Sequence, residues 1–203
     1  DGTATNPADY GDGTPLQVTI AAGTQTSGAI TFPTEDDTIY EEDEFFTVTG
    51  SVSSGTTANP SADATGTITD NDGDAPRISI ADVSVEEGDD AVFYVTTDKV
   101  SFEDIVVDIT FADGTATNPA DYGDGTPLQV TIPAGSTTSE GITFPTINDT
   151  AFEDDETFTV VGTVTAGTTS NATTRGTGTI ISNEILAIND INDTFEGQPV
   201  SGD

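Results

Sequence analysis

Two short stretches crowd more carboxylates together than a chain tolerates without compensation. Asp36, Asp37, Glu41, Glu42, Asp43 and Glu44 lie within EDDTIYEEDEFF, and Asp149, Glu153, Asp154, Asp155 and Glu156 lie within INDTAFEDDETF. Like charges this close repel one another unless they keep their protons or a cation lies between them. A hard ion such as Ca²⁺ takes roughly six to eight oxygens from carboxylates, backbone carbonyls and water, and loops of this kind supply all three. The plainer reading is a solvated acidic loop on an acidic protein. Three features weigh against it. The run recurs at the same place in a repeat, and it falls between two strand patterns, where carbonyls are free. Further acids also stand where a sandwich would bring them near: Asp70 and Asp72, then Glu86, Glu87 and Asp113.

The rest of the composition leaves little room for other chemistry. The chain has no His, Cys, Met or Trp, and its basic residues are Arg77, Lys99 and Arg175 against 37 acids, a net charge of -34. Without Cys there is no disulfide and no thiolate, and without His the commonest general base is missing. Charge of this sign excludes a nucleic acid held through its phosphates and disfavours an anionic membrane surface. It also repels itself and opposes compaction, so screening salt or bound divalent cations must offset it. No apolar run approaches the roughly 18–20 residues of a membrane span, and no membrane insertion is expected. Two acids about 5–10 Å apart could hydrolyse a glycosidic bond, but these acids form like-charged loops with no Trp to stack on a sugar. The chain is read as no enzyme. With no Met, Asp1 is not a translation start, and no signal peptide is visible; an interior piece of a longer protein is expected.

What positions the acids is a repeat. DGTATNPADYGDGTPLQVTI at Asp1–Ile20 recurs letter for letter at Asp113–Ile132, an offset of 112 residues. It continues without insertion through Phe32 and Phe144, Asp37 and Asp149, Glu41 and Glu153, Val52 and Val164, Asp72 and Glu184. That period is too long for a solenoid coil and fits whole domains. The chain divides into a first unit over 1–75, a second over 76–184 and the opening of another domain over 185–203. The first unit has no counterpart of Arg77–Ala112 and so lacks its N-terminal strands.

Period-two alternation dominates: Leu16, Val18, Ile20; Phe46, Val48, Val52; Ile105, Val107, Ile109, Phe111; Phe158, Val160, Val164. Such alternation marks strands with one buried face. The second unit offers strands at 77–80 and 83–85 (two, or one bent), 91–97, 105–111, 128–132, 141–147, 157–165 and 176–181. The fold class that follows is all-β, an immunoglobulin-like antiparallel sandwich. The first unit, short of three strands, is expected to expose sheet edges, and to be completed by a neighbouring chain or to stay poorly ordered.

VEEGDDAVFYV, DGTA followed by DY (Asp113–Ala116 and Asp121–Tyr122), an acidic loop before a Phe-rich strand, and the closing Asp70–Asp72 triplet together resemble the Calx-beta repeat. That family is known from sodium–calcium exchangers and bacterial surface proteins. The resemblance runs to about Glu184, and ILAINDINDTFEGQPVSGD resembles the opening of a cadherin-like repeat. It implies calcium held by an acid before the second strand, the Asp of DGTA, the long loop and the acids past the last strand. In the second unit these positions are Glu87, Asp113, Asp149, Glu153 and Glu156, the carbonyl of Ala151, and Glu184. In the first they are Asp1, Asp36, Asp37, Glu41, Glu44, Asp70 and Asp72, with the carbonyl of Ile39. The second unit departs from the pattern at Asn148, where the first has Asp36, and at Ser182-Asn183-Glu184, where the first has Asp-Asn-Asp. Asp9-Tyr10 and Asp121-Tyr122 read as structural, the Asp closing a turn and the Tyr packing beneath it. The Asn-x-Thr triplets at Asn148, Asn171 and Asn192 read as chance.

The resemblance implies a calcium-binding extender segment of a large secreted or cell-surface adhesin, with bacteria as the expected source. Its partners are calcium ions and neighbouring repeats, any glycan or protein ligand falling to other domains. The alternative is a calcium-sensing regulatory domain, which affinity would separate.

Overall fold

A computed structural model describes residues 2–184. Asp1, an expected ligand, and the cadherin-like stretch 185–203 lie outside the described residues. Among the described residues all regular elements are strands. The first unit carries β1 (Glu44–Ser51) and β2 (Ser61–Ile68), paired antiparallel from Glu44↔Ile68 to Ser51↔Ser61. The second carries β3 (Ile78–Ile80), β4 (Val83–Glu86), β5 (Asp90–Phe93), β6 (Val95–Thr97), β7 (Ile105–Asp113), β8 (Gln129–Ile132), β9 (Ile142–Pro145), β10 (Glu156–Ala166) and β11 (Thr173–Ile181).

The alternating apolar residues explain the layers. Ile105, Val107 and Ile109 of β7 are buried, as are Phe158 and Val160 of β10, while their neighbours in sequence stay partly exposed. One sheet runs β4-β11-β10-β7-β8. Opposite it, β3 pairs with β6 and β5 with β9. Between the layers lie Ile78, Phe93, Val95, Tyr122 and Phe144 with the inward residues of β7 and β10. Phe93 meets Phe144 and Phe158 edge-on at 5.8 and 6.0 Å, the arrangement ring quadrupoles favour. This is the expected all-β sandwich.

Three details differ from the sequence reading. The stretch 77–85 is two strands, the first of the two readings offered, but they lie in different layers. Asp82 Oδ1, between them, accepts the N–H of Thr177 at 2.7 Å and steers the chain across to β11. There β4 pairs parallel, so the sandwich is not wholly antiparallel. The stretch 91–97 breaks at Tyr94, which is half-exposed while Phe93 and Val95 are buried. The third difference separates identical residues. Gln129–Ile132 is a strand because it pairs with β7 from Ile105↔Ile132 to Asp108↔Gln129. The same letters at Gln17–Ile20 form no strand, and Leu16 and Ile20 are 87% and 61% exposed. A strand exists through its ladder, and among the described residues the first unit has no counterpart of β7. What the first unit keeps is a small core of Ala4, Tyr10 and Phe46, with Phe32, Val48 and Ile68 against it. Tyr10 stacks on Phe46 at 4.2 Å as Tyr122 stacks on Phe158 at 4.3 Å.

Candidate metal centre

Each acidic loop is shaped by its own side chains. Asp37 Oδ1 accepts the N–H of Ile39 at 2.7 Å, and Asp149 Oδ1 accepts that of Ala151 at 2.7 Å. These Asx turns fold the loop back on itself in both units. The loop is then tied to the end of the last strand: Asp70 N–H donates to Asp43 Oδ1 at 3.2 Å, and Ser182 N–H to Asp155 Oδ1 at 3.4 Å. Asn71 donates to Asp36 Oδ1 at 2.9 Å. Acids far apart in sequence thus converge at one end of each unit.

In the first unit the result is a cavity of about 140 Å³ lined by Asp9, Glu35, Asp36, Asp37, Glu41, Glu42, Glu44, Asp70 and Asp72, with no basic side chain on its wall. Six of the eight positions implied by the resemblance line it: Asp36, Asp37, Glu41, Glu44, Asp70 and Asp72. In the second unit Glu153 and Glu184 lie beside Asp154 and Asp155 around an open depression, and Asp149, Glu153 and Glu184 all act on Glu87 electrostatically. Ala151 and Ile39 are placed at their Asx turns. Asp113 stands apart, one oxygen taken by Tyr122 Oη at 2.6 Å and the N–H of Asn118 at 3.0 Å.

The tightest groupings contain a residue that sequence reasoning set aside. Carboxylate oxygens of Asp9, Glu41 and Glu44 lie within 4.8 Å of one another, and so do those of Asp121, Glu153 and Glu156. Asp9 and Asp121 do close turns as expected: Asp9 Oδ2 accepts Thr5 N–H at 2.6 Å and Asp121 Oδ2 accepts Thr117 N–H at 2.7 Å. They also face the acidic loop, because the DY segment runs beside its start. Glu35 N–H donates to Asp9 O at 3.0 Å, and Ile147 N–H to Asp121 O at 2.9 Å. No local sequence signal reports that pairing; the recurrence of Asp at both positions is the only hint.

The electrostatics record the crowding. Burial, then Asp121 and Glu153 nearby, pushes the Glu156 carboxyl up to about 7. Burial and neighbouring acids likewise raise Glu41, Glu44, Asp72, Glu87 and Glu153 above the usual carboxylate range. Glu87 Oε2 is out of contact with solvent and has no hydrogen-bond partner among the described residues. A buried lone pair left unmade is costly, and here it faces Glu184, Glu153 and Asp149. All-oxygen donors, shared repulsion and an orphaned carboxylate oxygen fit a hard divalent cation.

The Calx-beta domain profile matches residues 1–72 and 70–184. Among solved structures, the apo-form Calx CBD1 domain is 19% identical, covering 53% of this chain and 98% of its own length at a TM-score of 0.42. The CBD12 structure from CALX1.2 is 20% identical, covering 52% of this chain and 44% of its own length at a TM-score of 0.41. The Calx CBD2 domain is 13% identical, covering 50% and 85% at a TM-score of 0.37. No curated protein matches the chain significantly. Calx-beta domains are calcium-binding domains rather than catalytic ones. With the two profile matches together spanning residues 1–184, this chain belongs to the Calx-beta family.

Proposed function

We propose that this chain is a calcium-binding extender segment of a secreted or cell-surface adhesin, in which calcium stiffens the array of domains. The observation that carries the calcium reading is the repeated convergence of Asp9, Glu41 and Glu44, and of Asp121, Glu153 and Glu156. When bound, calcium supplies the positive charge that lets these carboxylates stay ionised at close range. Asp36, Asp37, Asp70 and Asp72 would complete the first site, and Glu87, Asp149 and Glu184 the second. The proposed domain limits are 1–75, 76–184 and 185–203. Thermal melts in Ca²⁺, in Mg²⁺ and in chelator at fixed ionic strength test the reading. A melting temperature higher in Ca²⁺ alone supports it, by mass action on the folded state; equal melting in all three reduces the acids to a solvated surface.

Support for stiffening comes from the junction. Lys99 Nζ donates to Asp72 O at 3.0 Å and to Asp74 O at 2.7 Å. Tyr40, inside the first acidic loop, accepts the N–H of Phe102 at 3.2 Å. Asp72 of the first site and Tyr40 of its acidic loop are thus bonded directly to the second unit, so ordering the loop restricts movement at the junction. A calcium sensor is the second reading, favoured by the family's regulatory role in sodium–calcium exchangers. A dissociation constant near 10⁻⁷–10⁻⁵ M would select it, and about 10⁻⁴–10⁻³ M the extender.

A further inference from the structure

At the tip of the second unit, hydrogen-bond donors stand where the first unit has carboxylates. Asp36, Asp37, Glu41, Glu44, Asp70 and Asp72 correspond by the 112-residue offset to Asn148, Asp149, Glu153, Glu156, Ser182 and Glu184. Two of these six charges are gone, at Asn148 and Ser182. In the first unit Asp36 and Asp70 line the acidic cavity and act as acceptors. Asp36 Oδ1 takes an N–H of Asn71 at 2.9 Å, and Asp70 Oδ1 takes the N–H of Asp72 at 3.4 Å.

Their replacements direct protons at the tip instead. Asn148 Nδ2 donates to the carbonyl of Glu87 at 3.2 Å, and Asn183 Nδ2 donates to the same oxygen at 3.3 Å. Ser182 Oγ donates to Glu184 Oε2 at 2.9 Å. The Asn148 side chain lies over the turn between β4 and β5, where a Cβ on Gly88 would meet Asn148 Cβ at 3.1 Å. Backbone carbonyls and carboxylate oxygens are what a hard cation contacts. Here one of each is already met by a neutral donor that brings no charge.

We propose that Asn148 and Ser182 lower the calcium capacity of the second unit by one ion, and that with Asn183 they bridge the tip in that ion's place. The inference rests on the calcium reading and deepens it. The charge agrees, because two carboxylates fewer offset one divalent cation fewer, and ligand charge tunes how such sites bind. The three donors tie the turn after β4 and the end of β11 to the acidic loop without metal. Glu87, Asp121, Asp149, Glu153, Glu156 and Glu184 keep oxygens for the calcium that remains. Among them Glu87 Oε2 has no hydrogen-bond partner among the described residues.

The test counts bound Ca²⁺ by equilibrium dialysis on the 203-residue chain and on two double variants of it. Asn148→Asp with Ser182→Asp restores both carboxylates and should bind one ion more per chain than the wild type. In chelator the same variant should melt below the wild type, since two added charges then face the other acids with no cation between them. Asn148→Ala with Ser182→Ala removes the donors and adds no charge. It should bind as many ions as the wild type, and in chelator it should lose amide-exchange protection at Glu87 and Gly88. A wild-type chain that binds no calcium removes the calcium reading and this inference with it. A wild-type chain that binds calcium, beside an aspartate variant that binds no more, overturns this inference alone. Unchanged protection in the alanine variant overturns it as well.

Discussion

Tyr122 Oη donates to Asp113 Oδ1 at 2.6 Å, joining the two halves of the DGTA–DY motif across a fully buried ring. The ring stacks on Phe158 at 4.3 Å, so the carboxylate is anchored to the core. Burial, with the accepting Asp113 beside it, raises the Tyr122 hydroxyl far above its ordinary value. Tyr122→Phe removes the donor and leaves the ring. Unfolding free energy should fall by about 1.5–3 kcal/mol, the worth of a hydrogen bond to a charged group. Urea denaturation followed by tyrosine-independent far-UV circular dichroism measures it.

Glu156→Gln should act in opposite directions with and without calcium. In chelator it removes one charge from the Asp121–Glu153–Glu156 grouping, whose oxygens lie within 4.8 Å, and the melting temperature should rise. In millimolar calcium it removes a donor, and the same variant should bind more weakly and gain less from the ion. A variant whose melting moves the same way in both buffers would show that Glu156 serves packing alone.

The metal-free protein should lose stability as pH rises from about 4.5 to 7. Glu156 is pushed up to about 7 from 4.5 in the folded state, by burial first and Asp121 next. Its folded form therefore binds the proton more tightly than its unfolded form, and across that window the native state holds more protons. Glu41, Glu44, Glu87 and Glu153 shift in the same direction. Calcium competes with those protons, so affinity should climb through the same window. Titration calorimetry at pH 5.5 and 7.5 reads the second effect, and melts in chelator the first.

Lys99→Met keeps the apolar stem and deletes the ammonium that bridges Asp72 O and Asp74 O. Global stability should change by less than about 1 kcal/mol, because the bonds are partly solvated. The linker over 71–75 should become more mobile on the nanosecond scale, visible in ¹⁵N relaxation. Unchanged relaxation there would remove Lys99 from the stiffening account.

Much of this protein is legible one residue at a time. Alternation at Ile105–Phe111 and Phe158–Val164 specified strands and their inward faces, since a side chain's direction in a strand depends on parity alone. The repeat located both acidic loops, and the Asx turns at Asp37 and Asp149 are local events. Tertiary structure decided three other matters. It set Asp9 and Asp121 against glutamates more than thirty residues away, because the DY segment lies alongside the start of the acidic loop. It sent β4 to a parallel place beside β11. It also made Gln129–Ile132 a strand and left the identical Gln17–Ile20 without one. Pairing partners, burial and crowded charge are properties of what stands opposite a residue, and twenty identical letters carry no information about that.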